Sequence, residues 1–562
     1  MTHSRPSLKL ALHALLILAA SVLFAMHFAH LSADFPNQSP WMDWSKYTDE
    51  GWYGDAAIRH FQLGHWYVPG DFNPAAALPV WPLTEAILFR FTGVSLVAAR
   101  ALTVCVFGAS LWASWFLLAG RRRATGGGSN PLSASVAVLL LAASPFCFVF
   151  VRMAIIEPML ILLTLLALLA ASRSQTRVTS SAPKGWMANC QNTVRSNLGT
   201  VVALGLLLPA MVLTKTTALF LTPAVFWMLF ARSNYRVRAF LQIAIPIGTF
   251  ASVVWASYFY LVIRPHYLAD YRYLFSANAY TGITRQNFVA VLVGTVKDGR
   301  WIGSIVYPLA VTAVLVAAAH LRRLAAYPLQ TALLLWIGGY MAFLAYHNNL
   351  QPRYYLVVAV PLTLLLPIVA EDQVRPWLAR CFERSPWLRM PVLFVGVAAV
   401  LAILLPDIRQ TVTFLRRPQY TLVAAASQVA GYIRADQAAD PTHNPLMLSI
   451  SGSDISLMTG LPSICDDFGT LELVDRIRRY NPGWYVAWNQ VEDDKMDAIW
   501  PQYTLRRVAA FPAMDDPDRN LLVLYKMYQA GSAPPATPHP RRRPRIRQLK
   551  VGQQPSPTQL VH

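Results

Sequence analysis

Long runs of apolar residues, separated by short connectors rich in arginine, dominate this sequence of 562 residues. A helix needs about 20 apolar residues to cross the roughly 30 Å of hydrocarbon in a bilayer, and on that criterion we predict about eleven membrane-spanning helices. The predicted spans cover residues 8–30, 96–119, 132–150, 157–172, 199–213, 217–231, 239–263, 302–320, 329–346, 354–370 and 390–406. The fold class predicted is an all-α polytopic membrane bundle.

The charge of the chain fits this interpretation. Only 14% of the residues are charged, whereas soluble domains carry roughly 25%. A formal charge of +20 is also typical of nucleic-acid-binding proteins, but here the basic residues lie in the connectors. Lysines and arginines in such connectors orient spans because they are retained on the cytoplasmic side. The sequence therefore argues against a nucleic-acid partner and predicts contact with membrane lipids.

The basic connectors all fall on one side of the predicted bundle. They contain Arg121 to Arg123, the segment 173–198, Arg232, Arg236 and Arg238, Arg322 and Arg323, and the segment 371–389. With a cytoplasmic N-terminus each of them is cytoplasmic, and the loop 31–95 and everything after about residue 407 are extracytoplasmic. The first apolar stretch is long and precedes many more spans, so an uncleaved helix is favoured over a cleaved signal peptide.

The composition divides the chain into three predicted regions. Residues 1–410 hold the spans, residues 411–530 form a small extracytoplasmic α/β domain, and residues 531–562 form a basic, Pro-rich, disordered tail. The middle region is assigned to an α/β domain because strand-like runs alternate with helical patterns. These runs are at 446–450, 484–488 and 521–525, after a helical stretch at 421–436.

The loop 31–95 is too polar to span the membrane and is rich in tryptophan and tyrosine, which suits a segment lying in the interface. Residues 56–61 predict a short amphipathic helix, and residues 79–83 predict a turn. Two adjacent carboxyl groups, Asp49 and Glu50, lie in this loop. One can accept the proton of an attacking hydroxyl while the other orients that nucleophile. A solvated acidic turn, or a cap at the start of a helix, is the alternative.

Other loops on the same side carry further ionisable residues. Arg152 and Glu157 flank a very short loop, where an interfacial ion pair between them is the alternative to a functional role. Lys215, between two apolar runs, can bind a phosphate leaving group or extend to the interface. Arg353 suits phosphate through its planar guanidinium, with interfacial anchoring beside Tyr354 as its alternative.

These residues share one side of the predicted bundle, and that is the informative observation. A set of two or three carboxylates, a lysine and an arginine describes a site for a substrate with a lipid-phosphate end and a reacting hydroxyl. The five cysteines are scattered without paired or metal-like spacing, so neither a disulfide framework nor a metal site is predicted.

With these motifs the chain resembles the integral-membrane GT-C glycosyltransferases, in particular bacterial members related to dolichyl-phosphate-mannose protein mannosyltransferases and aminoarabinose transferases. The resemblance covers roughly residues 10–410. It rests on Asp49-Glu50 followed by Tyr53, on Arg152 with Glu157-Pro158, on Leu213-Thr214-Lys215, and on Pro352-Arg353-Tyr354-Tyr355. It departs in one place: residues 78–83 lack the lysine of the Lys-Pro-Pro-Leu segment found in aminoarabinose transferases.

The resemblance implies an inverting, metal-independent transfer of a sugar from a polyprenyl-phosphate carrier to an acceptor hydroxyl on the extracytoplasmic face. The acceptor would be a protein, a lipid or a glycan, and no cofactor is implied because the lipid-linked sugar is a substrate. The location implied is the bacterial plasma (inner) membrane. The implied roles are Asp49 as catalytic base assisted by Glu50, Lys215, Arg353 and Tyr354 as holders of the donor phosphate, and Tyr53, Arg152 and Glu157 as residues that shape the site.

Two alternatives stay open. A transporter or flippase of a lipid-linked envelope precursor would be favoured by charges near mid-span or by symmetric halves with broken helices. An inactive envelope assembly factor would use its C-terminal domain for docking and would keep its function after Asp49→Asn.

Overall fold

The computed structural model describes residues 6–35, 39–43, 49–120, 131–175, 185–277, 282–319, 325–348, 350–450, 452–500 and 502–531. Some sequence predictions lie outside these residues. They are the basic clusters at 121–123 and 322–323, Arg177, Lys184, and the tail from residue 532 onward.

Helices build the part of the chain before residue 417. The first of them are α1 (Pro6–Ala25), α2 (Asp49–Leu63), α3 (Val80–Thr92), α4 (Leu96–Ala119), α5 (Pro131–Ala143), α6 (Pro145–Phe150), α7 (Glu157–Ser172), α8 (Trp186–Ser196) and α9 (Leu198–Thr214). They are followed by α10 (Thr222–Arg232), α11 (Val237–Tyr258), α12 (Leu268–Ala277), α13 (Phe288–Asp298), α14 (Val306–Ala318), α15 (Pro328–His347), α16 (Leu356–Val369), α17 (Arg375–Arg384) and α18 (Arg389–Arg416).

Each predicted span overlaps one of these helices, but the predicted number of spans is not confirmed. Within the described ranges, six helical stretches are long and apolar enough to cross a membrane, or up to seven if the bent pair α8–α9 counts as one. The remaining predicted spans correspond to shorter apolar helices. One reason is a break at Ser144, whose side chain caps α6 while Pro145 occupies its first turn. The chain is a multi-pass membrane protein with interrupted helices.

A second break lies between α9 and α10. Thr214 ends α9, Lys215 is extended, and a 3-10 turn over Thr216–Leu221 leads into α10. The predicted interruption of the apolar run at this point is present. It places a lysine where two apolar helices meet.

The centre and the periphery of the bundle differ in exposure. Nearly all residues of α16 are buried, and this helix packs against α5, α7, α14 and α15. By contrast, α18 exposes large apolar side chains such as Met390, Phe394 and Leu405. Such side chains are unfavourable in water but not in a bilayer, because lipid tails are as apolar as they are. We therefore assign this surface of α18 to contact with lipid.

The first loop contains the helices α2 and α3. The predicted short helix at 56–61 is part of α2, which is longer. The predicted turn at 79–83 is wrong, because α3 begins at Val80. Pro79 lies at the cap and Pro82 in the first turn, where a missing N–H leaves no helical hydrogen bond unmade.

The C-terminal domain is a small α/β unit, as predicted. Its elements are α19 (Thr421–Ala439), β1 (Met447–Ser449), α20 (Ser453–Thr459), β2 (Ser463–Cys465), α21 (Leu473–Tyr480), β3 (Trp484–Trp488), α22 (Asp493–Ile499), β4 (Tyr503–Pro512) and β5 (Leu521–Gln529). The strand order is β2-β1-β3-β5-β4. The first three strands are parallel, whereas β5 and β4 are added antiparallel. The predicted boundary at 410 falls inside α18.

The domain is joined to the first loop by more than the chain connection. Its helix α20 packs directly on α2. Because α2 begins with Asp49 and Glu50, this packing brings the domain to the carboxyl groups singled out by the sequence. The end of the bundle that carries the domain is also where the charged loops meet.

Candidate functional site

Asp49 and Arg353 form the centre of the site. Asp49 starts α2, and Arg353 lies on the 3-10 turn Pro352–Tyr355 that precedes α16. Nη2 of Arg353 is 2.7 Å from Oδ2 of Asp49, and both residues are buried. The acidic pair is therefore not a solvated turn. It begins a helix and faces a buried cation.

A second carboxylate, Asp43, holds the same arginine. The backbone N–H of Arg353 donates to Oδ2 of Asp43 at 2.8 Å, and the guanidinium Nη1 donates to the other oxygen. Arg353 thus lies between two carboxylates of the first loop. The sequence analysis missed Asp43, and its place shortly before Asp49 in an aromatic loop was the available signal.

Lys215 and Glu157 form a neighbouring ion pair. Nζ of Lys215 lies 2.5 Å from Oε1 of Glu157, which is fully buried at the start of α7. The same ammonium group is 4.0 Å from the centre of the Tyr354 ring. The guanidinium carbon of Arg353 is 4.6 Å from the centre of that ring. Tyr354 therefore contacts both cations and joins the two ion pairs into one cluster.

Tyr53 lies one turn beyond Asp49 on α2. Burial raises the pKa of its phenol well above the ordinary value, and the negative charges of Asp49 and Glu157 raise it further. The opposing effect of Arg353 is smaller. Tyr53 is therefore a neutral hydroxyl close to the cluster, able to donate one hydrogen bond and to accept others.

Glu50 has a different set of partners. Its two oxygens accept from Nε and Nη2 of Arg100 at 2.7 and 2.6 Å, and Oε1 also accepts the N–H of Ala154 at 2.8 Å. These contacts tie the start of α2 to α4 and to the loop before α7. They describe a carboxylate that fixes the helix, so they do not favour the expected assistance to proton transfer. The sequence analysis missed Arg100, although a lone arginine near the start of an apolar span is a signal in itself.

Arg152 does not pair with Glu157. Its guanidinium donates to the carbonyl oxygens of His27, Ala29 and His30. These carbonyls follow α1, where a cation is favourable because helix C-terminal ends carry partial negative charge. The alternative of an interfacial ion pair with Glu157 is therefore wrong, and Arg152 instead holds the backbone at the start of the first loop.

Among the described residues, no group of three or more His, Cys, Asp or Glu side chains is placed to hold a metal ion. The residues at the centre of the site are mainly charged. It combines three buried carboxylates, Asp43, Asp49 and Glu157, with the cations Lys215 and Arg353 and the ring of Tyr354.

Known structures share this architecture. ArnT from Cupriavidus metallidurans bound to undecaprenyl phosphate matches with a TM-score of 0.53 at 16% identity, over 91% of this chain and 98% of that protein. The archaeal oligosaccharyltransferase AglB from Archaeoglobus fulgidus, in complex with an inhibitory peptide and a dolichol-phosphate, matches with a TM-score of 0.51 at 13% identity. That match covers 92% of this chain and 74% of AglB.

The chain has the fold of these proteins. The predicted fold class, a helical membrane bundle with a small C-terminal domain, agrees with this match, although the predicted number of spans is not confirmed. At these identities the likeness concerns the fold. No protein-family model matches the sequence, and no curated protein does.

Proposed function

We propose that this protein is a glycosyltransferase that moves a sugar from a polyprenyl-phosphate carrier to an acceptor hydroxyl, with inversion and without a metal ion. We place the reaction at the extracytoplasmic face of a bacterial inner membrane, with the N-terminus in the cytoplasm. The observation that carries the proposal is the contact between Asp49 and Arg353 within the cluster that also holds Lys215. Asp49 contacts Arg353, and Lys215 lies on the same Tyr354 ring as Arg353, so the cluster offers a carboxylate as base and two buried cations for a phosphate leaving group.

The cations would stabilise the departing phosphate. When the bond between the sugar C1 and the phosphate oxygen breaks, negative charge develops on that oxygen. Fixed positive groups in a site with little water stabilise such charge more than they would in bulk solvent. Lys215 and Arg353 are both buried, and the guanidinium can form two parallel hydrogen bonds to phosphate.

Asp49 would act as the base. The acceptor oxygen attacks C1 from the side opposite to the phosphate, its proton passes to Asp49, and the electron pair of the broken bond leaves with polyprenyl phosphate. The sugar is inverted by this single displacement. A phosphate oxygen that binds Arg353 competes with Asp49 for the guanidinium, so arrival of the donor would free an oxygen of Asp49 to accept the proton.

The fold supports a lipid-linked donor. ArnT is bound to undecaprenyl phosphate and AglB to a dolichol-phosphate, and both lipids are polyprenyl phosphates. AglB is an oligosaccharyltransferase in complex with a peptide. We extend to this chain the lipid class alone, because the charged cluster suits a phosphate whatever the sugar and the acceptor are.

A transfer assay tests the proposal. The purified protein is incubated with a panel of labelled polyprenyl-phosphate sugars and with candidate acceptors, with and without EDTA. We expect release of polyprenyl phosphate and a glycosylated product in both conditions, and none with Asp49→Asn. Movement of the lipid across vesicles without sugar transfer would contradict the proposal and favour a flippase.

A further inference from the structure

The first turn of α2 donates a hydrogen bond to the C-terminal domain. The backbone N–H of Gly51 donates to Oδ1 of Asp454 at 2.6 Å, across 403 residues of sequence. Asp454 lies in the first turn of α20. The first four N–H groups of a helix have no partner within the helix and need an acceptor from outside. Asp454 supplies one, and it does so two residues after Asp49.

The two backbones are in close contact at this point. A Cβ atom on residue 51 would overlap the backbone of Ser453 and Asp454, so glycine is required there by space. One turn further along α2, Asp55 accepts a hydrogen bond from the Ser453 hydroxyl. The start of α20 therefore fixes α2 at two successive turns.

Asp454 is itself buried among carboxyl groups. Its side chain is 2% exposed, and within the described ranges Oδ2 has no hydrogen-bond partner. Burial raises the pKa of Asp454 well above its ordinary value, and the nearby charges of Glu50 and Asp49 add to the effect. The hydrogen bond from Gly51 and the charge of Arg100 act in the opposite direction and lower this pKa.

A second attachment joins the domain to the loop. The carboxylate of Asp71 accepts the N–H of Cys465, at the end of β2, at 3.2 Å. It also forms ion pairs with Arg476 of α21 and Arg59 of α2. Parallel α/β sheets bind their ligands at the carboxyl ends of the strands. In this domain a carboxylate of the first loop occupies that position, so the domain is built to hold the loop.

We propose that Asp454 is a positioning residue, through which the C-terminal domain holds the first turn of α2 and so aims Asp49 at the acceptor hydroxyl. This inference rests on the proposed function. It assigns the domain a part in the reaction without any contact to the substrate.

Two substitutions of Asp454 distinguish the effect of losing the hydrogen-bond acceptor from the effect of replacing the buried side chain. Asp454→Asn keeps an oxygen that accepts from Gly51 and should retain most of the turnover. Asp454→Leu removes the acceptor and should lower kcat about a hundredfold, with the donor KM unchanged, because small misplacements of a catalytic group are costly. Gly51→Ala should reproduce the leucine variant. Asp436→Asn, which breaks an ion pair with Lys526 in the same domain, is the matched control and should have no effect.

Hydrogen exchange of the peptide spanning residues 49–54 provides a readout that needs no activity. We expect faster exchange in Asp454→Leu and Gly51→Ala, and unchanged exchange in Asp454→Asn and Asp436→Asn. If the wild type transfers no sugar while this pattern holds, the proposed function fails and the attachment stands. Wild-type kcat in Asp454→Leu, or an equal loss in Asp454→Asn, would overturn the inference.

Discussion

Oδ2 of Asp49 lies 2.7 Å from Nη2 of Arg353, the arginine on the 3-10 turn before α16. The other terminal nitrogen of the same guanidinium is held by Asp43. An anionic ligand that binds Arg353 would therefore compete with Asp49 for its N–H groups. The pair links occupancy of the proposed phosphate site to the freedom of the proposed base.

Asp49→Asn should abolish transfer without weakening the grip on the donor. Loss of a general base costs about 10²- to 10⁴-fold in rate. Arg353 loses one competitor but keeps Asp43, so polyprenyl phosphate should bind equally well or more tightly. Turnover and lipid affinity are measured on the same preparation. A variant with weakened lipid binding and unchanged turnover would contradict the assignment.

Lys215→Met should both destabilise the protein and weaken binding of polyprenyl phosphate. It leaves Glu157 buried without its cation, and breaking a buried pair in this way costs about 3–5 kcal/mol. The double variant Lys215→Met with Glu157→Gln should recover thermal stability but not lipid affinity. Recovery of both would mean that Lys215 serves the fold alone.

Glu50→Gln should lower the stability of the protein more than it lowers the rate of transfer. It removes the charge that pairs with Arg100 inside the protein, so the thermal midpoint should fall well below that of Asp49→Asn. The residual turnover per folded molecule should exceed that of Asp49→Asn. The two variants are compared by thermal unfolding in detergent and by single-turnover rates. A fully inactive Glu50→Gln with normal stability would instead support the expected assisting role.

The pKa of Asp55 predicts how the stability of the protein depends on pH. Burial raises the pKa of this carboxyl from 3.8 to about 7, against the opposing effect of Arg59. Between these values the folded chain keeps a proton that the unfolded chain has released, so stability falls as the pH rises. The slope for one proton is about 1.4 kcal/mol per pH unit. Between pH 4 and pH 7 the thermal midpoint should depend less on pH in Asp55→Asn than in the wild type. Equal dependence on pH in the two proteins would contradict this prediction.

The sequence was sufficient for the elements with strong periodicity. The apolar runs overlap the helices of the bundle, and the strand-like runs at 484–488 and 521–525 match β3 and β5. Strand β2 has three residues and β4 is largely exposed, so neither carries a pattern that stands out from its surroundings. The number of spans could not be predicted, because local caps and breaks cut apolar runs that composition alone joins.

The candidate site shows the same limit. The sequence points to Asp49 as a proton acceptor and to Lys215 and Arg353 as cations suited to phosphate. The structure pairs Asp49 with Arg353 and pairs Lys215 with Glu157. Which carboxylate pairs with which cation depends on how helices pack. The alternative that paired Arg152 with Glu157 is therefore wrong, and the partner of Glu50 could not be predicted, although the lone arginine at position 100 was visible in the sequence.

The bond between Gly51 and Asp454 has a consequence for how the protein is made. A ribosome releases α2 long before it has translated residue 454, since 403 residues separate the two ends of that bond. A prematurely terminated product ending before α20 would possess the complete charged cluster yet lack the contact that orients its first acid. If the inference about Asp454 holds, newly inserted chains would have low turnover until α20 has been translated and has packed on α2.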